Sequence, residues 1–147
     1  MQGLGERLAA ALNEARKARD QARTLLLSTI LADLKNREFE LRHPLTDEEA
    51  VEVVRRGVKK RHEAAEQFAA GGRQDRAAVE LAEVKALEAF LPALAPPEEI
   101  RAAVREAIDG GAKDLGKVMG VVMPRFKGRA DGKLINQIAR EELSPSV

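Results

Sequence analysis

KDLGKVMGVVMPRFKGRADGKLINQIAR, residues 113–140, holds seven Lys or Arg against two Asp, a net of +5 in a chain whose formal charge is +1. Positive charge is therefore gathered in one stretch, and the same stretch carries a helical pattern. Leu115, Val118, Met119, Val122 and Met123 recur at i, i+3, i+4, i+7 and i+8, which predicts one amphipathic helix. Pro124 is expected to stop it. Arg125-Phe126-Lys127-Gly128-Arg129 then reads as a short basic loop, Asp131 as an N-cap ahead of Gly132, and Leu134, Ile135, Ile138 and Leu143 as the apolar side of a closing helix. Gly116 and Gly120 lie four apart on one helix face, where missing side chains are expected to admit a closely packed neighbour. Gly110-Gly111 ends the preceding helix. In that helix Pro97 suits the first turn, Glu98 and Glu99 suit the positive end of the dipole, and Ile100, Ala103, Val104 and Ala107 form the buried stripe.

Upstream, the run Ala93-Leu94-Ala95-Pro96-Pro97 is the best domain boundary, because paired prolines forbid helix across it. It separates residues 1–93 from a three-helix tail, 94–147. Leu4, Leu8, Ala11, Leu12 and Ala15 form a first helical stripe, followed by the charged knot Arg16-Lys17-Ala18-Arg19-Asp20. A second helix is expected to begin near Asp20, the alternative being one stripe that runs on unbroken because Ala18 and Ala22 keep the period. It is expected to turn Leu25, Leu26, Thr29, Ile30 and Leu34 inward and to end at His43-Pro44. Thr46-Asp47-Glu48-Glu49 has the form of a capping box and starts a third helix. Its apolar face is Val51, Val54, Val58, Ala65 and Phe68, its end is Gly71-Gly72, and a close helix crossing would account for Gly57 in its middle. The fourth helix runs from about Gln74 to Phe90, with Ala77, Leu81, Val84, Leu87 and Leu91 facing in. The architecture expected is all-α: an N-terminal bundle of about four helices and a C-terminal tail of three.

Composition agrees with helix over sheet. Aromatics make up 3 % of 147 residues, with no Trp or Tyr. Cysteine is absent, which excludes a disulfide framework, a thiolate nucleophile and a cysteine-ligated metal or iron–sulfur centre. No apolar run reaches the ~18 residues of a membrane span, and MQGLGERLAA lacks the basic-then-apolar order of a signal peptide. A soluble, cytoplasmic protein with no membrane partner is the expectation.

The pattern Lys-x-Leu-Gly-Lys-Val-Met-Gly-x-x-Met-Pro-x-x-Lys-Gly-Arg-Ala-Asp-Gly-Lys, from Lys113 to Lys133, closely resembles the C-terminal tail of the GatB/YqeY family. Gly72-Arg73-Gln74-Asp75 leading into Glu80-Leu81-Ala82-Glu83-Val84, and Phe90-Leu91-Pro92 after it, resemble the free-standing YqeY-like members, so the likeness runs nearly end to end. Departures are Pro96-Pro97, where a Ser/Glu-type helix start is usual, and Gly57. The resemblance implies a tail of the kind appended to the B subunit of tRNA-dependent amidotransferases, with tRNA as its contact. The first alternative is a helical interaction module docking on an aminoacyl-tRNA synthetase or amidotransferase, and the second is a small component of a carbon-nitrogen ligase using glutamine as amido-N donor. The catalytic cradle of that B subunit is not in this sequence.

Each motif has a plain structural reading beside the functional one. Gly111-Ala112-Lys113-Asp114-Leu115-Gly116-Lys117 matches the first seven positions of a phosphate-binding P-loop. The eighth is Val118, which offers no hydroxyl to Mg²⁺, and a helical stripe precedes the motif where a strand is needed; helix packing is the better use of its glycines. Lys117, Arg125, Lys127, Arg129 and Lys133 could neutralise RNA phosphates, helped by amides at the start of the Asp131-capped helix. With Phe126 as the one aromatic there, backbone and shape contact is expected over base stacking. Arg55, Arg56, Lys59, Lys60 and Arg61 form a second basic stretch, expected to be a solvated face bridged to Glu63 and Glu66 along its own helix. His62 falls beside an apolar stripe and reads as a packed or partner-bonded histidine; His43 sits in a proline turn. No serine is placed with a histidine and an acid in a nucleophile pattern. The expectation is thus no catalytic residue, no metal and no cofactor, in an accessory protein that binds tRNA or other structured RNA.

Overall fold

A computed structural model describes residues 3–144, and every regular element among them is helical, with no strand. The chain divides into two compact units, Met1–Leu91 and Pro92–Val147. The first holds α1 (Leu4–Lys17), α2 (Gln21–Leu41), α3 (Asp47–Ala70) and α4 (Gln74–Glu88). The second holds α5 (Pro97–Asp109), α6 (Leu115–Val122), a one-turn 3₁₀ helix (Met123–Phe126) and α7 (Gly132–Leu143).

In the first unit, local chemistry sets most helix ends. The Asp20 side chain accepts from the Arg23 amide to start α2, and Thr46 with Glu49 forms the complete reciprocal box at α3. The start of α1 has no side-chain cap of its own; Asp47, at the first position of α3, reaches across to accept from the Leu4 amide at 2.6 Å. α1 and α3 both end in the paired 6→1 and 5→2 bonds of a Schellman turn, at Asp20 to Ala15 and at Arg73 to Phe68. Gly72 supplies the left-handed residue of the second (φ +78°), but Arg19 supplies it in the first (φ +55°), where a side chain costs about 1–2 kcal/mol. Leu8, Leu27, Ile30, Val54 and Leu87 are completely buried in the core that these helices share. Each large apolar side chain so buried contributes ~1.5–3 kcal/mol. A Cβ on Gly57 would meet Ile30 Cδ1 at 3.1 Å, so α2 does cross α3 closely at this glycine.

Several inward assignments are corrected. On α2, Leu25 is 70 % exposed and Thr29 is also outside, its hydroxyl donating to the Leu25 carbonyl, while Leu27 takes the core position. Leu81 on α4 is exposed. His62 is exposed and not packed. Arg61 pairs with Glu83 of α4 at 3.4 Å, across two helices, in place of an acid on its own helix.

The second unit is built around Ile100, Val104, Val118, Val122, Phe126, Ile135 and Ile138. Ala95 belongs to this core too, and its amide donates to the Arg129 carbonyl at 2.8 Å, so the residues before α5 are part of the unit's fabric. Asp114 and Asp131 cap α6 and α7 through the Lys117 and Lys133 amides. Arg101 and Arg105 of α5 bind Glu141 and Glu142 of α7. Two expectations fail here. Gly116 and Gly120 are exposed, and a Cβ on Gly120 would meet nothing within 4 Å, so no helix packs on that face among the described residues. Met123 leaves the stripe and is 41 % exposed, because the α-helix tightens into 3₁₀ at Met123-Pro124. Pro124 thus changes the kind of helix and does not stop it outright.

Candidate functional site

Residues 125–129 form a turn whose sides alternate. Phe126 (2 % exposed) packs into the core and Gly128 is buried, while Arg125 and Lys127 stand outside and Arg129 is half-buried. Three backbone bonds fix it: the Arg129 and Ala130 amides both donate to the Phe126 carbonyl, and the Arg129 carbonyl accepts from Ala95. Gly128 takes a left-handed conformation (φ +77°) that lets the chain reverse there. The burial of Phe126 follows from its place at the end of the 3₁₀ turn, and it removes the ring as a surface for bases. The Arg129 guanidinium instead lies 5.9 Å from the Phe126 ring centroid.

The structure places the five predicted cations unequally. Arg125, Lys127 and Arg129 share the turn. Lys133 is the second residue of α7, next to Gly132, which lies against the Met123 side chain, at 3.4 Å from where a Cβ would stand to Met123 Cε. Lys117 sits in the first turn of α6, six residues from Met123, or ~9 Å along the helix axis. Three of the five are already paired. Arg125 lies 3.3 Å from Glu106, Arg129 3.3 Å from Glu99, and Lys117 3.9 Å from Asp114. Among the described residues Lys127 and Lys133 have no ion pair. Charge counting along the sequence missed the two glutamates of α5. Their spacing of seven, which puts both on one helical face, was the available signal.

The helix starts offer less to an anion than the sequence suggested. At α7 the Lys133 amide donates to the Asp131 carboxylate, and the Leu134 and Ile135 amides to its carbonyl. At α6 the Lys117 amide is taken by the Asp114 carboxylate and the Val118 amide by its carbonyl. Both ends carry a carboxylate where a phosphate would have to sit, and the P-loop-like string is a helix end at Gly111 (φ +113°) followed by a helix start. Elsewhere, His43 Nδ1 donates to the Pro44 carbonyl with Nε2 3.6 Å from Glu49, and no group of three His, Cys, Asp or Glu among the described residues could hold a metal ion. No described helix is long and apolar enough to cross a membrane.

Among curated proteins none matches the chain. The model of one family, described as Yqey-like protein, matches residues 5–143, leaving out only four residues at each end. A helical chain matched over nearly its whole length, with the basic turn inside the matched region, belongs to the Yqey-like protein family.

Proposed function

We propose that this protein is a non-catalytic accessory that binds structured RNA, tRNA foremost, by contacting the phosphate backbone through the basic turn of its C-terminal unit. In this reading residues 94–147 act as the binding tail and residues 1–93 as a separate helical body. The observation that carries it is the alternation at 125–129: the core holds Phe126 and Gly128, so Arg125, Lys127 and Arg129 are presented together on a backbone that need not be ordered on binding. The likeness of Lys113–Lys133 to the tail of a tRNA-handling amidotransferase subunit supports the same ligand. Lys127 and Lys133 engage phosphates directly. Arg125 and Arg129 do so by exchanging Glu106 and Glu99 for phosphate, a bidentate exchange that a guanidinium favours.

The test is a titration of labelled tRNA with the full chain and with Lys127→Ala/Arg129→Ala over a series of salt concentrations. Binding should fall steeply with salt, by ~0.7–0.9 in log K per log salt for each phosphate contact, and the double variant should lose about two such contacts. No binding at low salt would end the RNA reading. Amide formation from glutamine by the purified protein alone would overturn the non-catalytic one.

A second reading has one observation of its own. Phe39 on α2 is 78 % exposed, beside a shallow pocket lined by Glu38, Arg42, His43 and Pro44. An exposed aromatic at the edge of a pocket is the kind of side chain that anchors docking on a protein such as a synthetase or amidotransferase. Nuclease-resistant binding to the purified partner, lost in Phe39→Ala, is the result it requires.

A further inference from the structure

The first unit carries a cationic surface of its own, around the α1–α2 turn. Arg16, Lys17, Arg19 and Arg23 stand there against Glu14 and Asp20, and Arg7, in the first turn of α1, joins them through the Phe90 ring that it shares with Arg23. Only Lys17 has an ion-pair partner among the described residues, Glu14 at 3.7 Å, and both side chains of that pair are largely in solvent. Asp20 is turned to the backbone: its carboxylate accepts from the Arg23 amide, and its carbonyl accepts from Thr24.

Two of the arginines are held in place. The guanidinium carbons of Arg7 and Arg23 each lie 5.7 Å from the Phe90 ring centroid, so they are no farther apart than twice that distance, and Arg7 also donates to the Phe90 carbonyl. A guanidinium resting on a ring keeps its in-plane N–H donors directed outward and surrenders less freedom when an anion takes them. The third feature is Arg19. It occupies a left-handed position at the end of α1, as Arg42 does at the end of α2, whereas Gly72 and Gly111 stand at the ends of α3 and α5. Glycine would fit that backbone better, so replacing Arg19 by glycine removes the guanidinium without straining the turn.

We propose that Arg16, Arg19 and Arg23, with Arg7 behind them, form a second phosphate-contacting surface for the RNA backbone. This rests on the RNA reading above and assigns the N-terminal unit a share in it. Planar guanidiniums that lack carboxylate partners match phosphate oxygens two at a time, and four of the five cations here are arginine.

The experiment uses the full chain and labelled tRNA, with sodium tripolyphosphate and poly-L-glutamate as competitors. Arg19→Gly is the informative variant, because it removes the guanidinium while relaxing the backbone. It should melt at the same or a higher temperature yet bind tRNA several-fold more weakly. Arg16→Gln/Arg23→Gln should lower the salt slope by ~1.4–1.8, and Arg23→Lys should recover part of the loss. Tripolyphosphate should compete better than poly-L-glutamate at equal charge. An Arg19→Gly protein that binds tRNA like the wild type, or equal competition by poly-L-glutamate, would overturn the proposal. Comparison with Lys127→Ala/Arg129→Ala separates the two surfaces. Loss in the tail variant alone leaves the basic turn standing and removes this one; loss in the N-terminal variants alone does the reverse.

Discussion

Replacing Glu99 and Glu106 by glutamine should make this protein bind RNA more tightly while making it less stable. Both carboxylates sit 3.3 Å from arginines that the RNA reading needs, Arg129 and Arg125, and both pairs are well exposed, with side-chain exposures of 40 and 47 % for one and 51 and 74 % for the other. Surface pairs of this kind contribute ~0–1 kcal/mol each. That is also the most that phosphate must overcome to displace each glutamate. Removing both therefore raises affinity by up to ~5-fold per pair and ~25-fold together, taking ~1.4 kcal/mol per tenfold. The same energy is lost from the fold, where ~1 kcal/mol moves Tm by about 4–8 °C in a domain of 60–100 residues. Tighter binding with a lower Tm is a combination that general loosening does not give. The assay is tRNA affinity by anisotropy with calorimetric melts of the same samples. Glu98→Gln/Asp109→Asn serves as control, changing net charge equally at residues of α5 that hold no arginine in an ion pair. If Glu99→Gln/Glu106→Gln binds no more tightly than the control at ~0.15 M salt, where the screening length is about 8 Å, the arginines are not part of the interface.

Gly57→Ala should destabilise the first unit by ~1 kcal/mol: helix propensity gains ~1 kcal/mol, but the new methyl meets Ile30 Cδ1 at 3.1 Å in a core position with no exposure, where overpacking costs ~1–3 kcal/mol. Pairing it with Ile30→Val should recover stability beyond the sum of the two single changes, and denaturant unfolding of the four proteins checks this. Gly128→Ala leaves every charge in place but strains a turn at φ +77° by ~1–2 kcal/mol, so both Tm and tRNA affinity should fall; affinity unchanged at a lowered Tm would refute the claim that the turn's geometry matters. The pH dependence follows from Glu141, whose carboxyl the Arg101 hydrogen bond holds below its ordinary value of 4.5, and from Asp75, held below 3.8 by Arg73. Both are depressed in the folded state, so their contribution is present above those ordinary values and is lost as pH falls below them. Thermal melts between pH 6 and 3 should show a smaller acid loss in Glu141→Gln than in the wild type.

What could be read from the sequence was what neighbours along the chain decide. Asp20, Thr46 and Asp131 start helices because each reaches an amide two or three residues on, and Gly71-Gly72 and Gly110-Gly111 end helices for equally local reasons; Asp114 does the same for the start of α6, though it was not singled out in the sequence. Gly57 was legible too, since a costly residue in a long helix asks for a steric cause. Facing was harder. Leu25-Leu26-Leu27 offers two overlapping stripes, and only the partner helices decide that Leu27 is buried and Leu25 is not. The exposed Gly116 and Gly120 show the same limit from the other side: glycine spacing permits close packing without supplying a helix to pack.

For the basic stretch the difficulty is of another kind, because charge is additive along a sequence but not in space. The +5 of residues 113–140 is real, yet Arg125 and Arg129 meet acids 19 and 30 residues upstream, and the lysines of the turn and of α7 do not. A guanidinium offers a planar fork that a neighbouring carboxylate can fill, whereas the ammonium of Lys127 or Lys133 is a strongly hydrated point charge on a flexible stem. Among the cations of the turn and the start of α7, the arginines hold carboxylates and the lysines do not, whereas Lys117 on α6 pairs with Asp114. In the RNA reading this sets an order of events. The unpaired lysines supply the long-range, salt-sensitive attraction that brings a polyanion to the turn, and the arginines, held ready by Glu99 and Glu106, change partners once a phosphate is within reach. The weak surface pairs are then an asset, since pairs strong enough to stabilise the unit substantially would also keep the arginines from the ligand.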